Sequence, residues 1–247
     1  MKVNVGLIGK GKWGKNIEKK LKVLANLKFV HGRKNNLKKD IKKNNIEWIF
    51  VATPNNTHYK IVKKCIQSNV NVFCEKPLCL TYEKAKKLIK YSNKKGVRIF
   101  ISDLYAYYSK KINNLRENNN IFRSKYVYGK DNEFLFRFMY HDLSILYKFL
   151  KNNKILHIYQ KKNFKKKNNE ISIKLKKNKL IKFKYDLNSK KKEHYINKLS
   201  IKSKKDLLKI MIKEVLLNKV NFNDNNKKAM FIIKLLNQIK REKTYVY

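Results

Sequence analysis

The chain has 247 residues, 43% of them hydrophobic, with only 7 glycines and 2 prolines. This composition is typical of a globular protein with one large or two ordinary domains, and it excludes a largely disordered chain. No apolar run approaches the roughly 20 residues that span a bilayer, and the first predicted strand begins at Lys2, which leaves no room for a signal peptide. We therefore expect a cytoplasmic protein without a membrane partner.

The formal net charge is +45 at pH 7, from 62 Lys and Arg against 17 Asp and Glu. Such a charge suggests nucleic acid or an acidic membrane as a partner. The excess is nearly all Lys, however, whereas Arg is the residue that reads base edges bidentately. Asn, Ile, Tyr and Phe, which also have A/T-rich codons, are abundant as well, so nucleotide bias explains the lysines. We expect nonspecific, salt-dependent polyanion binding and no specific nucleic-acid partner.

A glycine motif follows the first predicted strand, Lys2 to Ile8. The residues Gly9-Lys10-Gly11-Lys12-Trp13-Gly14 come next, and a helix is predicted to about Leu24. In the order strand, G-x-G-x-x-G, helix, the glycines allow a tight turn, the approach of a pyrophosphate and close helix packing. This pattern predicts a dinucleotide site whose cofactor contacts are Gly9, Gly11, Lys12, Trp13 and Gly14.

The second predicted strand, Leu27 to Val30, ends where a carboxylate usually holds the ribose hydroxyls of the cofactor. The sequence has His31-Gly32-Arg33-Lys34 there instead. With two cations and no acid, a ribose 2′-phosphate would be accepted, so the cofactor is NAD or NADP and Arg33 is a candidate contact. Alternatively, these cations only reflect the general excess of basic residues.

A central unit of strand, helix and strand organises the chain. Trp48 to Ala52 and Val70 to Phe73 are apolar runs that flank an amphipathic helix, which is the pattern of buried parallel strands. Ligands gather at the carboxyl ends of such strands. The candidate site residues at these two ends are Thr53, Pro54, His58, Glu75 and Lys76. His58 has a second interpretation, in which it only caps the helix that follows.

The three cysteines are Cys65, Cys74 and Cys79. Their number is odd and their spacing is not that of metal ligands. We expect reduced thiols packed in the core, and no metal site.

The first domain is predicted to end near residue 118. The elements expected before that point are a helix capped by Thr81 and running to about Asn93, a strand at Val97 to Ser102, an aromatic stretch at Asp103 to Tyr108 and a closing segment at Ile112 to Asn118. The aromatic stretch is either core or a wall of the site. Asn118-Asn119-Asn120 is the predicted boundary, which gives domains 1–118 and 119–247.

The second half alternates apolar residues with Lys, a pattern that predicts an antiparallel sheet with one buried face. The predicted strands are Ser124 to Tyr128, Ile155 to Tyr159, Ile171 to Leu175, Ile181 to Tyr185 and Tyr195 to Ile201. The predicted helices are Tyr140 to Leu150, Leu207 to Leu217 and Lys228 to Ile239.

Taken together, these motifs resemble the Gfo/Idh/MocA family of oxidoreductases, named after glucose-fructose oxidoreductase and inositol dehydrogenase. The resemblance covers nearly the whole chain and rests on Gly9 to Asn16, Ala52-Thr53-Pro54 with Thr57-His58, Glu75-Lys76-Pro77-Leu78 with Thr81, and His141 to Leu146. It implies an α/β fold, with an N-terminal Rossmann domain on a parallel sheet and a shortened α+β domain on a mainly antiparallel open sheet.

The resemblance also implies a function, namely NAD(P)-dependent hydride transfer at a hydroxyl or keto carbon of a sugar, cyclitol or nucleotide-sugar. Lys76 is then the cation between nicotinamide and substrate, and His141 the group that moves the hydroxyl proton. Both roles make chemical sense, because hydride leaves a carbinol carbon only as its hydroxyl loses a proton. A homo-oligomer through the C-terminal sheet is implied as well.

One departure from the family pattern concerns turnover. Active members usually carry an acid four residues before the histidine, and Arg137 occupies that position here. The alternative is therefore a catalytically degenerate protein that still binds a dinucleotide or a sugar nucleotide. A third hypothesis, an electrostatic nucleic-acid binder, rests on the net charge alone.

Overall fold

Seven segments of the chain are described by the computed structural model, namely 2–32, 37–106, 118–125, 134–163, 167–203, 205–242 and 244–246. They form two compact units, the first made of Met1–Leu104 with Asp206–Lys234 and the second of Tyr105–Lys205 with Leu235–Tyr247. The predicted division into 1–118 and 119–247 differs from this one, because part of the C-terminal region packs in the first unit.

The first unit contains a parallel sheet in the order β2-β1-β3-β4-β5. Its strands are β1 Asn4–Ile8, β2 Asn26–His31, β3 Trp48–Val51, β4 Asn71–Cys74 and β5 Ile99–Ile101. Its helices begin with α1 Lys12–Leu24, α2 Leu37–Lys43, α3 His58–Gln67 and α4 Tyr82–Lys94. The strand order reverses between β1 and β3, and the crevice at such a reversal is where open α/β sheets bind ligands.

The middle of this sheet is apolar on both faces, as the two hydrophobic runs predict. All four residues of β3 are buried, and the rings of Phe50 and Phe73 stack with their centroids 4.7 Å apart. The three cysteines are buried and form no disulfide. Burial raises the pKa of Cys65 to about 12, so this thiol stays protonated at neutral pH. These cysteines are packing residues, as predicted.

Residues Asp206–Lys234 add further helices to the first unit. They contain α6 Leu207–Leu216 and the start of α7 Phe222–Arg241, which begins six residues before its predicted start at Lys228. The ring of Phe222 stacks on that of Trp48 at 5.8 Å. The Asn225 side chain bonds both backbone groups of Ile101, accepting from its N–H at 2.8 Å and donating to its carbonyl at 2.9 Å. Asn225 thereby pairs with β5 as a neighbouring strand would.

The second unit contains a mixed sheet in the order β11-β10-β6-β9-β8-β7-β12. Its strands are β6 Asn118–Ser124, β7 Ile155–Asn163, β8 Asn168–Leu175, β9 Leu180–Asp186, β10 Glu193–Ile196, β11 Leu199–Ser200 and β12 Thr244–Val246. Two pairs, β6 with β9 and β7 with β12, are parallel and the others are antiparallel. Its helix α5 spans Tyr140–Lys151 and follows a π-helical turn at Leu135–Met139. The predicted fold class is therefore confirmed.

Two details of the second half differ from the sequence prediction. Asn118 to Asn120, predicted as a boundary, are the first residues of β6, where Asn119 is only 1% exposed and the strand pairs with β9. The predicted strand Tyr195 to Ile201 is divided at Asn197, whose φ of +53° reverses the chain and creates a hairpin. Asn adopts this left-handed conformation more readily than most residues, and that local freedom outweighs the strand pattern. Of the predicted strand Ser124 to Tyr128, residues 126–128 lie outside the described segments.

Among the described residues, no helix is long and apolar enough to cross a bilayer. In the same segments, no cluster of three or more His, Cys, Asp or Glu side chains could hold a metal ion.

Candidate functional site

The glycines of the loop after β1 have different structural roles. Gly9 has φ +123°, and a Cβ there would lie 2.3 Å from the carbonyl oxygen of Ala52. A Cβ on Gly14 would lie 1.9 Å from the carbonyl oxygen of Gly9. A Cβ on Gly11, in contrast, would meet no atom within 4 Å among the described residues. Packing therefore requires the outer two glycines, whereas the middle one borders open space.

The first turn of α1 faces that space and suits an anion. Gly11 is the N-cap, no side chain caps the helix, and its first turn contains no acid. Backbone N–H groups and the positive end of the helix dipole therefore remain available for a pyrophosphate. Lys12 is exposed and Trp13 is 40% exposed beside them. These residues fit the dinucleotide that the glycine motif predicts.

A carboxylate that the sequence pattern did not reveal lies beside the end of β2. Asp40, from the unpredicted helix α2, places Oδ2 3.1 Å from Nε2 of the buried His31. Burial lowers the pKa of His31, Lys10 lowers it further, and Asp40 opposes both. The expectation that this strand end lacks an acid is therefore wrong, because the acid comes from the next helix. Arg33 and Lys34 lie outside the described residues.

The loop after β3 is ordered by its own hydroxyl groups. The Thr57 hydroxyl lies 2.7 Å from that of Thr53 and 2.7 Å from the carbonyl oxygen of Pro54. The Thr57 amide donates to the same Pro54 carbonyl at 2.9 Å. These short contacts hold the loop in one turn before α3 begins.

The loop after β4 contains the other charged candidates. Glu75 is only 9% exposed, and its Oε1 is buried with no hydrogen-bond partner among the described residues. A buried carboxylate oxygen in that state is costly, so a donor from a ligand would stabilise it. Lys76 is half-buried and precedes Pro77 through a cis peptide bond.

His58 connects these two loops. Its ring is fully buried, with Nδ1 2.7 Å from the carbonyl oxygen of Pro77 and Nε2 2.9 Å from that of Thr53. The N-cap of α3 is Thr57, and the helix has no side-chain cap. The interpretation of His58 as a helix cap is therefore wrong, because both of its ring nitrogens face carbonyl groups outside the helix.

His141 lies in the first turn of α5, half-buried beside an aromatic ring. The Tyr105 ring is 4.5 Å from it, centroid to centroid, at 40°. The aromatic stretch that begins at Asp103 thus borders a candidate catalytic residue, although its last two tyrosines, residues 107 and 108, lie outside the described segments. His141 belongs to the second unit and Lys76 to the first. Their convergence on one pocket remains a prediction.

The next residue, Asp142, anchors α5 to the sheet. Its carboxylate is fully buried and accepts from Arg123 at 2.7 Å, His194 at 2.7 Å and the Tyr185 hydroxyl at 2.9 Å. Burial alone would raise the pKa of Asp142, but the charge of Arg123, with the other donors, lowers it. Sequence reasoning missed this cluster, since its partners lie on three strands far apart in the chain.

Arg137 stands where the family resemblance implies an acid, and it lies in the π-helical turn. The Tyr140 amide there donates to the Leu135 carbonyl, five residues earlier, instead of to a carbonyl four residues earlier. The Arg137 side chain is exposed, with its guanidinium 5.4 Å from the Phe138 ring centroid.

A family model matches a stretch within the first unit. Residues 13–102 match the family model GFO_IDH_MocA, described as an oxidoreductase family with an NAD-binding Rossmann fold. The uncharacterized oxidoreductase C115.03 of Schizosaccharomyces pombe is 42% identical over 57 residues, which is 23% of this chain and 16% of that protein. The aligned stretch thus spans about a sixth of the length of this relative.

Structural comparisons extend the similarity of fold to both units. UDP-N-acetylglucosamine 3-dehydrogenase GnnA from Acidithiobacillus ferrooxidans superposes with a TM-score of 0.81 at 14% identity, covering 97% of each chain. The WlbA dehydrogenase from Thermus thermophilus, in complex with NAD and UDP-GlcNAcA, gives 0.75 at 13% identity, covering 99% of this chain and 97% of that one. The family resemblance is confirmed over residues 13–102, which match the model of the GFO_IDH_MocA oxidoreductase family with its NAD-binding Rossmann fold.

Proposed function

We propose that this protein is an NAD(P)-dependent oxidoreductase that transfers a hydride between the nicotinamide and a hydroxyl or keto carbon of a sugar, cyclitol or nucleotide-sugar. The observation that carries the proposal is the open space at Gly11 before an uncapped helix N-terminus. Support for the substrate class comes from the structural neighbours, which include a UDP-N-acetylglucosamine 3-dehydrogenase and a dehydrogenase in complex with NAD and UDP-GlcNAcA.

The first unit supplies the groups that would bind the cofactor. Backbone donors at Gly11 and Lys12 would hold the pyrophosphate, and Trp13 would lie beside it. The buried Oε1 of Glu75 would accept a hydrogen bond from a ribose hydroxyl or an amide of the cofactor. The bound nicotinamide would supply the hydride chemistry.

Lys76 and His141 would act on the substrate hydroxyl. A lysine ammonium stabilises the negative charge that develops on the oxygen as the proton leaves, and a neutral imidazole accepts that proton. Both roles require the two residues to meet, although they belong to different units.

The first test is binding, measured by tryptophan fluorescence. The chain has two tryptophans, and Trp48 is only 2% exposed, so a change on adding NADH or NADPH would report on Trp13. We expect saturable quenching with both cofactors, and its loss in Trp13→Phe.

The same titration compares the two cofactors. If Arg33 and Lys34 contact the ribose, NADPH binds at least as well as NADH. A clear preference for NADH would instead favour Asp40 as the group that selects the cofactor. No binding of either cofactor would refute the proposal.

The second test is turnover with a panel of nucleotide-sugars and cyclitols, followed as NAD(P)H absorbance. Lys76→Ala and His141→Ala should each lower kcat by about 100- to 10,000-fold, the usual cost of removing an acid or base, with little change in cofactor affinity. Lys60→Ala and His157→Ala, at exposed positions, are matched controls. Equal turnover in all four variants would contradict the assigned roles.

One observation favours a second function, that of a binding protein without turnover. An exposed Arg137 stands where the family resemblance implies an acid, and a guanidinium cannot orient an imidazole as a carboxylate does. Cofactor binding without turnover of any substrate in the panel would support this alternative.

A homo-oligomer formed through the second sheet is a further proposal. Light scattering, which measures the molar mass in solution, tests it.

A further inference from the structure

His58 faces two hydrogen-bond acceptors, and a neutral imidazole can donate to only one of them. Both of its partners, the carbonyl oxygens of Thr53 and Pro77, only accept hydrogen bonds, at 2.9 and 2.7 Å. A neutral ring has one N–H donor, whereas the charged ring has two. The geometry therefore suits a ring that holds a proton on each nitrogen.

The surroundings of the His58 ring include groups that raise its pKa and groups that lower it. The pKa of His58 is lowered overall, because burial, with Lys76, outweighs the two carbonyl groups and Glu75, which raise it. The two charged groups that act on the ring thus come from the loop after β4. Burial leaves only the two carbonyl groups as partners for its ring nitrogens among the described residues.

The two bonds join the loops that carry most of the candidate site in the first unit. Thr53 begins the loop after β3, and Pro77 follows Lys76 directly in the loop after β4. A side chain that fixes the distance between these carbonyl groups also fixes the backbone of Lys76 relative to the neighbouring loop. Such fixing matters because a displacement of about 1 Å at a catalytic group can cost about 100-fold in rate.

We propose that His58 is a positioning residue, whose ring clamps the loop after β3 to the loop after β4 and so sets the place of Lys76. This inference rests on the proposed function for its effect on rate, but not for the clamp itself. The clamp is fully closed when both ring nitrogens carry protons, and it loses one bond when the ring becomes neutral.

The clamp can be tested without any ligand. The chain contains five histidines, so ring resonances in protein labelled with ¹⁵N-histidine can be assigned by their loss in single variants. We expect both His58 nitrogens to carry slowly exchanging protons at acidic pH, and one of these protons to be lost as pH rises. Ring protons that exchange with water as fast as those of the exposed His157 would overturn the proposal.

The effect on rate is tested in the full chain with two substitutions. His58→Phe removes both donors and should lower kcat on the order of 100-fold, far more than it weakens NADH binding. His58→Asn retains one donor on the Pro77 side and should recover part of the loss, with a flatter pH profile than the wild type. If the Phe variant does not fold, the Asn variant and the ring resonances still decide the question.

The outcomes separate the clamp from the proposed function. A wild-type protein that binds no dinucleotide refutes the proposed function, while the ring resonances still confirm or overturn the clamp. A wild-type protein that turns over, with both His58 variants matching its kcat, overturns the clamp and leaves the proposed function standing.

Discussion

At the residue scale, the glycines of the motif differ in whether the fold itself requires them. Gly9 and Gly14 are required by the protein itself, since a Cβ at either position would overlap backbone atoms. Gly11 has an extended backbone, φ −70° and ψ 178°, which any residue can adopt. Neither packing among the described residues nor the backbone conformation therefore requires a glycine at position 11.

This difference gives a prediction for two substitutions. Gly11→Val should lower the free energy of unfolding by only about 1 kcal/mol, as for a poorer helix N-cap residue, while abolishing dinucleotide binding because its side chain fills the open space. Gly14→Ala should destabilise the fold, since its Cβ would lie 1.9 Å from the carbonyl oxygen of Gly9. Thermal unfolding and cofactor titration measure the two effects separately. Full binding by Gly11→Val would remove this loop from the cofactor site.

At the scale of elements, Asp142 attaches α5 to three strands of the second sheet. Its partners Arg123, Tyr185 and His194 belong to β6, β9 and β10. The carboxylate is one residue from His141, so the same contacts fix the start of the helix that carries the candidate proton acceptor. We expect the cluster to matter for stability and for the place of His141.

Replacing the Asp142 carboxylate should greatly lower the free energy of unfolding. Asp142→Asn removes the negative charge and leaves Arg123 buried beside neutral groups, a change that typically costs about 3 to 5 kcal/mol. Chemical denaturation at neutral pH measures this loss. Glu170→Gln is the matched control, because Glu170 and Lys184 form an exposed ion pair, 3.3 Å apart, whose loss should have little effect.

The contact between Asp142 and Arg123 predicts that the stability of the protein depends on pH. The pKa of Asp142 is lower in the folded protein than in the unfolded chain, so the unfolded chain binds the proton more tightly. The stabilisation is then complete above the unfolded pKa, near 4, and is lost as pH falls through the folded value. The difference in stability between wild type and Asp142→Asn should shrink on acidification below about pH 4. A constant difference would contradict the assignment.

The sequence best predicts the elements with a long apolar pattern or with mostly buried residues. β3, β4 and α4 lie within a residue or two of their predicted bounds. The seven-residue α2 buries only Ile41 and gives no periodic signal. The acid that α2 carries, Asp40, was missed with it. The partners of His58 likewise could not be predicted, because Pro77 is 19 residues away and only the packed loops bring it near.

At the scale of the molecule, the first unit is discontinuous in sequence. Phe222 stacks on Trp48, and Asp103 donates its backbone N–H to the Met211 sulfur at 3.4 Å and pairs with Lys228 at 2.6 Å. A chain ending near residue 118 lacks all of these partners. The apolar surface and strand edge that they cover would then be exposed, a combination that promotes aggregation.

We therefore predict that residues 1–118 expressed alone are insoluble or bind hydrophobic dyes strongly. A fusion of 1–104 to 206–234 through a flexible linker should be soluble and show a cooperative thermal transition. Sedimentation and calorimetry distinguish the fragment from the fusion. A soluble, cooperatively folding 1–118 fragment would show that the C-terminal helices contribute little to the first unit.

The return of Asp206–Lys234 to the first unit also has a consequence during synthesis on the ribosome. Asn225 follows Ile101 by 124 residues, which translation at roughly 5 to 20 residues per second needs about 6 to 25 s to add. Throughout that interval the nascent β5 lacks the Asn225 amide that pairs with it in the finished protein. A chaperone that shields exposed strand edges would therefore act on this chain mainly between the emergence of β5 and that of α7.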